Sequence, residues 1–385
     1  MRAWPSSAND DNMPADASAA RPMIVVVGAG VVGLACAYAL ARRGRDVCVV
    51  ERHARPGRET STRNSGVIHA GLYYPAGTLK ARLSVEGRGR LYAFCRERRV
   101  PHVRCGKLIV AREGERQALD AVAACANANG VHVEFVDRAF VAAREPHVAA
   151  DAALWSPSTG WIDAEAYVRA LAAAAAGAGA VLLPGAGVDA IEPGPSGDVV
   201  VVTARERIDA ATVVNAAGLE ADAISAMAGG EPFTIYPCRG EYAELAPRAR
   251  ALVNGLVYPV PHPSGHGLGV HLTRTIDGAV WLGPTIRYQE SKTDYEGDRL
   301  PVEAFLEPTR ALLPEVTLAD LRPGPSGIRA KLHPPSERFA DFLIRRDRRN
   351  PALVHAAGID SPGLTASLAI GELVANLCDL HLIST

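Results

Sequence analysis

Three glycines carry the first chemical signal in this chain. They are Gly28, Gly30 and Gly33, in the run Gly28-Ala29-Gly30-Val31-Val32-Gly33. An apolar run from Met23 to Val27 precedes them. An amphipathic stretch to Arg43 follows, then a second apolar run, Val47 to Val50, closed by Glu51 and Arg52. The first glycine lets the chain turn tightly, the second lets a pyrophosphate approach the backbone, and the third lets a helix pack close to a strand. Free N–H groups at the helix start, with the positive end of its dipole, then face the phosphates. Glu51 stands where a carboxylate can hydrogen-bond a ribose hydroxyl. The order strand, glycine turn, helix, strand, acid predicts dinucleotide binding, and by itself leaves flavin and nicotinamide both open.

A second chemical stretch is Ser65-Gly66-Val67-Ile68-His69-Ala70-Gly71-Leu72-Tyr73-Tyr74. Glycines on both sides of His69 let backbone approach a ring. Its imidazole is a candidate base with an ordinary pKa in the useful range. His271 is a rival base, and Thr273, two residues on, shares its face of a strand. Arg239 and Tyr258 read as packed sheet residues. The short run Arg345-Arg346-Asp347-Arg348-Arg349 reads as a solvated turn.

The elements that position these residues alternate in kind. Helical periodicity runs from Leu79 to Arg98 and from Glu113 to Ala128, with strands at Cys105–Ala111 and Val131–Val136. Asp163 caps a helix over Ala164–Ala176. Short strands follow at 180–183, 185–191, 198–203 and 208–215, the last ending in a second glycine turn, Ala217-Gly218, before a helix at 220–227. Antiparallel strands are expected at 236–246, 252–260, 271–274 and 279–282, with Asp277-Gly278 as a hairpin turn. A polar helical excursion covers 288–313. Strands at 327–332 and 352–357 lead to a third glycine-bearing turn, Gly358 to Thr365, and a final helix, 366–378.

The fold class is therefore α/β, a discontinuous Rossmann-like nucleotide domain plus an α+β domain with an antiparallel sheet. The expected segments are a disordered tail over 1–22, nucleotide domain over 23–103, 154–234 and 326–385, and substrate domain over 104–153 and 235–325. A C-terminal segment that returns to the nucleotide site suits FAD, whose redox ring lies far from its adenine.

Composition narrows the classes. In 385 residues, 41 basic and 42 acidic side chains leave a net charge of −1, and no basic patch points to nucleic acid. The seven cysteines form no CxxC and no Cys/His cluster at zinc spacing, so no metal is expected. Cys36 and Cys48 read as small buried hydrophobes in a reducing compartment. No stretch of about 18 uninterrupted apolar residues is visible, so no stable membrane span is expected. Residues 1–22 lack a signal peptide's apolar core, and Met13 and Met23 are alternative starts.

Arg63 to Tyr74, RNSGVIHAGLYY, resembles the L-2-hydroxyglutarate dehydrogenase/oxidase family of FAD-dependent enzymes. So do Cys105 to Ala111, Arg239 to Tyr242, Gly269 to Arg274, Leu282-Gly283-Pro284 and Gly358 to Ser367, in the same order. The wider group looks like the D-amino-acid oxidase/glycine oxidase fold. One position departs: relatives carry a histidine directly before Asn-Ser-Gly, and this chain has Arg63.

The resemblance implies FAD as cofactor and oxidation of a C–H bond next to a carboxylate in a small L-2-hydroxy acid. Oxidation of an amine or amino acid, as in glycine or sarcosine oxidases, is the alternative. Arg329 resembles the position that clamps the substrate carboxylate, which suits its bidentate fork. Lys331, two residues on, is a second anchor for a dicarboxylate. Thr60, Ser61, Asn64 and Ser65 are expected along the pyrophosphate and ribityl chain. Val188 is expected at the adenine, and Ala217 and Gly218 along the dinucleotide path. Gly358, Gly363, Leu364 and Thr365 belong to the turn that aims a helix N-terminus at the flavin. The electron acceptor, quinone or oxygen, stays open. The expected location is the cytoplasm, with peripheral contact to the inner membrane on a quinone route.

Overall fold

The computed structural model describes residues 23–195, 197–261 and 269–382. The expected tail at 1–22 lies outside the described residues. A six-stranded sheet runs in the order 343–346, 353–357, 212–215, 24–27, 47–51, 181–184. Its strands are parallel except for the antiparallel edge pair 343–346 and 353–357. Strands such as Ile24-Val25-Val26-Val27 are apolar at every position because both faces of the sheet are covered. The helices Val31–Arg42, Leu79–Arg98, Ala164–Gly177 and Gly363–Leu382 pack together on one face. A three-stranded antiparallel sheet, 188–193, 199–203 and 207–210, closes the other through Ile191, Val199 and Val201.

A nine-stranded sheet carries the antiparallel half. In it 287–288, 236–245, 280–283, 271–274, 256–259, 107–111, 152–156 and 134–137 are successive neighbours, and the strand Leu321–Lys331 pairs with Tyr236–Leu245. The neighbours 107–111 and 256–259 run parallel, and the other pairs antiparallel. Ala152–Ser156 and Leu321–Lys331 each run through an expected segment boundary and stay in this sheet. A small sheet, 67–68, 160–162 and 102–103, lies between the two halves of the chain.

Several elements differ from expectation. The excursion at 288–313 holds only the short helical turns Val302–Phe305 and Leu306–Arg310. Asp294 explains part of this: its carboxylate accepts the Glu296 and Gly297 N–H groups, a local bond that competes with helix. Arg345 and Arg346 lie in the edge strand Leu343–Arg346, where Arg345 pairs with Glu231, so only the residues after them turn. A helix at Arg138–Arg144, capped by Asp137, follows the strand Glu134–Asp137. The final helix begins at Gly363, not at 366. Its residues 363–380 are long and apolar enough to cross a membrane by length and composition, and 61 % of that window is buried within the chain. It packs on the helices Val31–Arg42 and Leu79–Arg98, as a core helix does.

Candidate active site

The glycine turn is built as its spacing requires. Gly28 has φ +100°, and a Cβ there would stand 2.6 Å from the Ala216 carbonyl. A Cβ at Gly33 would stand 1.9 Å from the Gly28 carbonyl, so the helix is seated directly on the turn. The Ser61 hydroxyl accepts the Val31 N–H at 2.9 Å. Glu51 is buried, and its carboxylate accepts the N–H groups of Ala29 and His53, each at 2.8 Å. A carboxylate has about four acceptor positions, so two remain for hydroxyl donors.

A cavity of about 1040 Å³ runs from this turn to the nine-stranded sheet. Gly28, Gly30, Val31, Val32, Glu51 and Arg52 line its first part. Val188, Ala217 and Gly218 also border it, as do Gly363 and Leu364 at the start of the final helix. Thr60, Ser61, Asn64 and Ser65 border it too, yet two of their side chains are committed elsewhere. Thr60 donates to the Ile328 carbonyl at 3.0 Å. The Asn64 amide donates to the carbonyls of Thr60 and Ser61, and its oxygen accepts the Gly66 N–H. Thr60 thus ties the loop to the sheet, and Asn64 braces the loop internally. Gly33, Gly358 and Thr365 do not reach the cavity. Gly358 packs under Leu332, and Thr365 accepts the His69 N–H at 2.9 Å. Arg52 is tied to Glu59 and lies 3.5 Å from Glu220.

His69, His271, Arg329 and Lys331 all line the far part of the cavity. His69 Nε2 lies 3.2 Å from the Ser361 hydroxyl, which lies 3.2 Å from the Tyr74 hydroxyl. Burial, helped by the nearby Lys107 charge, pushes the His69 imidazole down to about 3, so it is neutral at physiological pH. His271 stacks on Tyr258 with ring centroids 3.5 Å apart and planes 11° apart. Tyr258 is thus a packed sheet residue and also part of the cavity wall. Arg239 is buried away from the cavity, bonded to Glu241 at 2.9 Å.

Arg329 and Lys331 point to one side of the strand Leu321–Lys331. The Arg329 guanidinium lies across Gly240 on the neighbouring strand and donates to the Thr285 carbonyl at 3.4 Å. Lys331 Nζ is 3.3 Å from His333 Nε2 and 3.5 Å from Asp360. Asp360 is also paired with Lys80 at 2.7 Å, and both are buried. Burial alone would raise the Asp360 carboxyl; Lys80 and Lys331 outweigh it and hold it below the usual range. Arg63, the departing residue, borders the cavity with its guanidinium 4.1 Å from the centre of the Tyr295 ring.

Sequence reasoning missed Lys80, Asp360, His333 and Tyr73. Asp360 lay inside a stretch recognised for its glycines, and Lys80 inside an amphipathic helix, so neither announced a buried pair. The Tyr73 hydroxyl is buried without a partner among the described residues and belongs to the cavity wall, an open donor for a polar ligand. The elongated cavity, the side-chain-free turn at its end and the acid behind that turn fit a dinucleotide. The cations at the opposite end fit a carboxylate.

Comparison with known proteins agrees with this geometry. The "L-2-hydroxyglutarate dehydrogenase, mitochondrial" of Arabidopsis thaliana is 35% identical over 91% of this chain and 82% of its own length. An L-alpha-glycerophosphate oxidase from Mycoplasma pneumoniae, solved with FAD bound, matches at TM-score 0.84 and 27% identity, over 93% of this chain and 95% of its own. Glycine oxidase from Geobacillus kaustophilus matches at TM-score 0.79 and 25% identity, over 94% and 95%. The family model for FAD-dependent oxidoreductases of the DAO type matches residues 23–377. With the glycine turn and the discontinuous sheet in place, the chain belongs to the DAO family of FAD-dependent oxidoreductases.

Proposed function

We propose that the protein oxidises the CH–OH carbon of a small L-2-hydroxy acid, L-2-hydroxyglutarate or a near homologue, to the 2-oxo acid. One observation carries the reading: Arg329 and Lys331 project side by side from one strand, toward a cavity that also holds His69 and His271. FAD, when bound, supplies the acceptor for the hydride leaving the substrate carbon. Gly28, Gly30, the start of the helix at Val31 and Glu51 hold its adenosine and pyrophosphate. Arg329 holds the carboxylate next to the reacting carbon, and Lys331, with His333 beside it, receives the distal carboxylate. A neutral imidazole accepts the hydroxyl proton. The two candidates are His69, whose Nε2 lies 3.2 Å from the Ser361 hydroxyl, and His271, stacked on Tyr258; both border the cavity.

The test is anaerobic. L-2-hydroxyglutarate should bleach the oxidised flavin spectrum, and the product should be 2-oxoglutarate. If no 2-hydroxy acid in a panel bleaches it, the reading is wrong. The likeness to glycine oxidase favours amine oxidation as the second reading, scored by bleaching with glycine or sarcosine. The reoxidising partner is a quinone or oxygen, separated by adding each to the reduced enzyme. The proposed location is the cytoplasm, peripheral to the inner membrane on a quinone route.

A further inference from the structure

The strand Lys107–Ala111 opens on a lysine that is 1% exposed and whose ammonium has no hydrogen-bond partner among the described residues. Nothing acidic neutralises it within ion-pair distance among the described residues. Its Nζ lies 4.7 Å from the centre of the Tyr73 ring and 4.3 Å from that of Tyr258. Both tyrosines line the substrate end of the cavity, and Lys107 stands behind them. The sheet explains the arrangement. Tyr258 pairs with Ile109 on one side, and its strand neighbours that of His271 on the other. Lys107 shares the face of Ile109, so lysine, tyrosine and histidine follow one another across adjacent strands. A methionine would fill the same space without the cost of burying a lone ammonium, which is large.

We propose that Lys107 is a positioning residue for the anionic substrate: its ammonium is a positive charge behind the cavity wall that is balanced only when a carboxylate enters. The inference rests on the 2-hydroxy-acid reading for the identity of that carboxylate. Screening by solvent is weak at this depth, so the charge acts through the two rings.

Burial, opposed slightly by Cys105, brings Lys107 down to about 7, so the charge is present below neutrality and fades above it. The groups around it are Cys105, Tyr73, Tyr74, Tyr258, His69 and His271, with Glu145 acting on Cys105. Cys105 is pushed up to about 12, the three tyrosines are raised, and His69 is held at about 3. His271 borders the cavity and stacks on Tyr258, and His271→Asn controls for it.

The experiment titrates FAD-loaded enzyme with glutarate, a dicarboxylate without the reactive hydroxyl, followed by flavin absorbance between about pH 6 and 9. Wild-type affinity should fall about tenfold as pH rises through neutrality. Lys107→Met should bind about tenfold more weakly at the acid end and show a flat profile. It should keep its FAD and melt no lower than wild type, and His271→Asn should keep the slope. Equal affinity and slope in wild type and Lys107→Met overturn the proposal. So does a Lys107→Met protein that loses FAD and melts lower, or a wild type that glutarate does not perturb. If L-2-hydroxyglutarate fails to bleach the wild type, the functional reading falls while the glutarate comparison still judges Lys107.

Discussion

Arg329 reaches the cavity by lying over Gly240: a Cβ at position 240 would stand 2.7 Å from two of its guanidinium nitrogens. The absent side chain on one strand is the space that the arginine on the next strand occupies. Gly240→Ala should therefore displace the guanidinium without removing it. Since misplacement by about 1 Å can cost about 100-fold, kcat/KM for the 2-hydroxy acid should fall by about that factor. FAD content should stay unchanged. Arg329→Ala should fall at least as far, through KM. Steady-state kinetics with flavin stoichiometry checks both, and an unaffected Gly240→Ala enzyme would show that Arg329 is not the clamp.

His69 gives the fold a pH dependence of its own. Its folded pKa of about 3 lies below the unfolded value of about 6.5, so the unfolded chain takes the proton first. The associated stability is fully present above about pH 6.5 and is lost as pH falls toward 3. Asp360 and Asp347, both held low, add their losses only below about pH 4. Thermal melts between those limits should thus steepen with acid in the wild type and flatten in His69→Asn. Parallel curves would mean that the imidazole is not held neutral.

Lys80 and Asp360 form a buried pair at 2.7 Å. Removing one member leaves the other charged and desolvated, which costs about 3–5 kcal/mol. Asp360→Asn should lower the melting temperature accordingly. Lys80→Met combined with Asp360→Asn should recover much of the loss. If the double variant is no better than the sum of the singles in a thermodynamic cycle, the two residues do not act as a pair.

Behind the glycine turn, out of the cavity, Gly33→Ala would put a methyl 1.9 Å from the Gly28 carbonyl. That atom is backbone, so the turn itself must move. A stability loss of about 3 kcal/mol and release of FAD on gel filtration are the expected outcomes. A Gly33→Ala enzyme that retains stoichiometric flavin would mean that the turn does not need the close seat.

The sequence by itself determined the local half of this protein. The Gly28 to Gly33 turn, Glu51 and the His69 loop could be read because glycine spacing and apolar runs constrain backbone over short distances. The later glycine turns, at Gly218 and Gly363, marked where the chain returns to the same sheet. Only the tertiary structure decided what depends on strands remote in sequence lying side by side. It set Gly240 under Arg329, and it put Lys107 next to Tyr258, because the strands at 107–111 and 256–259 are neighbours. It buried Lys80 against Asp360, tied the Thr60 hydroxyl to the Ile328 carbonyl and turned the Asn64 amide onto its own loop, while both residues stay on the cavity wall. The reason is that a charge's role follows from its burial and partners. Neither is a property of the residue or of its neighbours in the chain; both arise when the sheet closes.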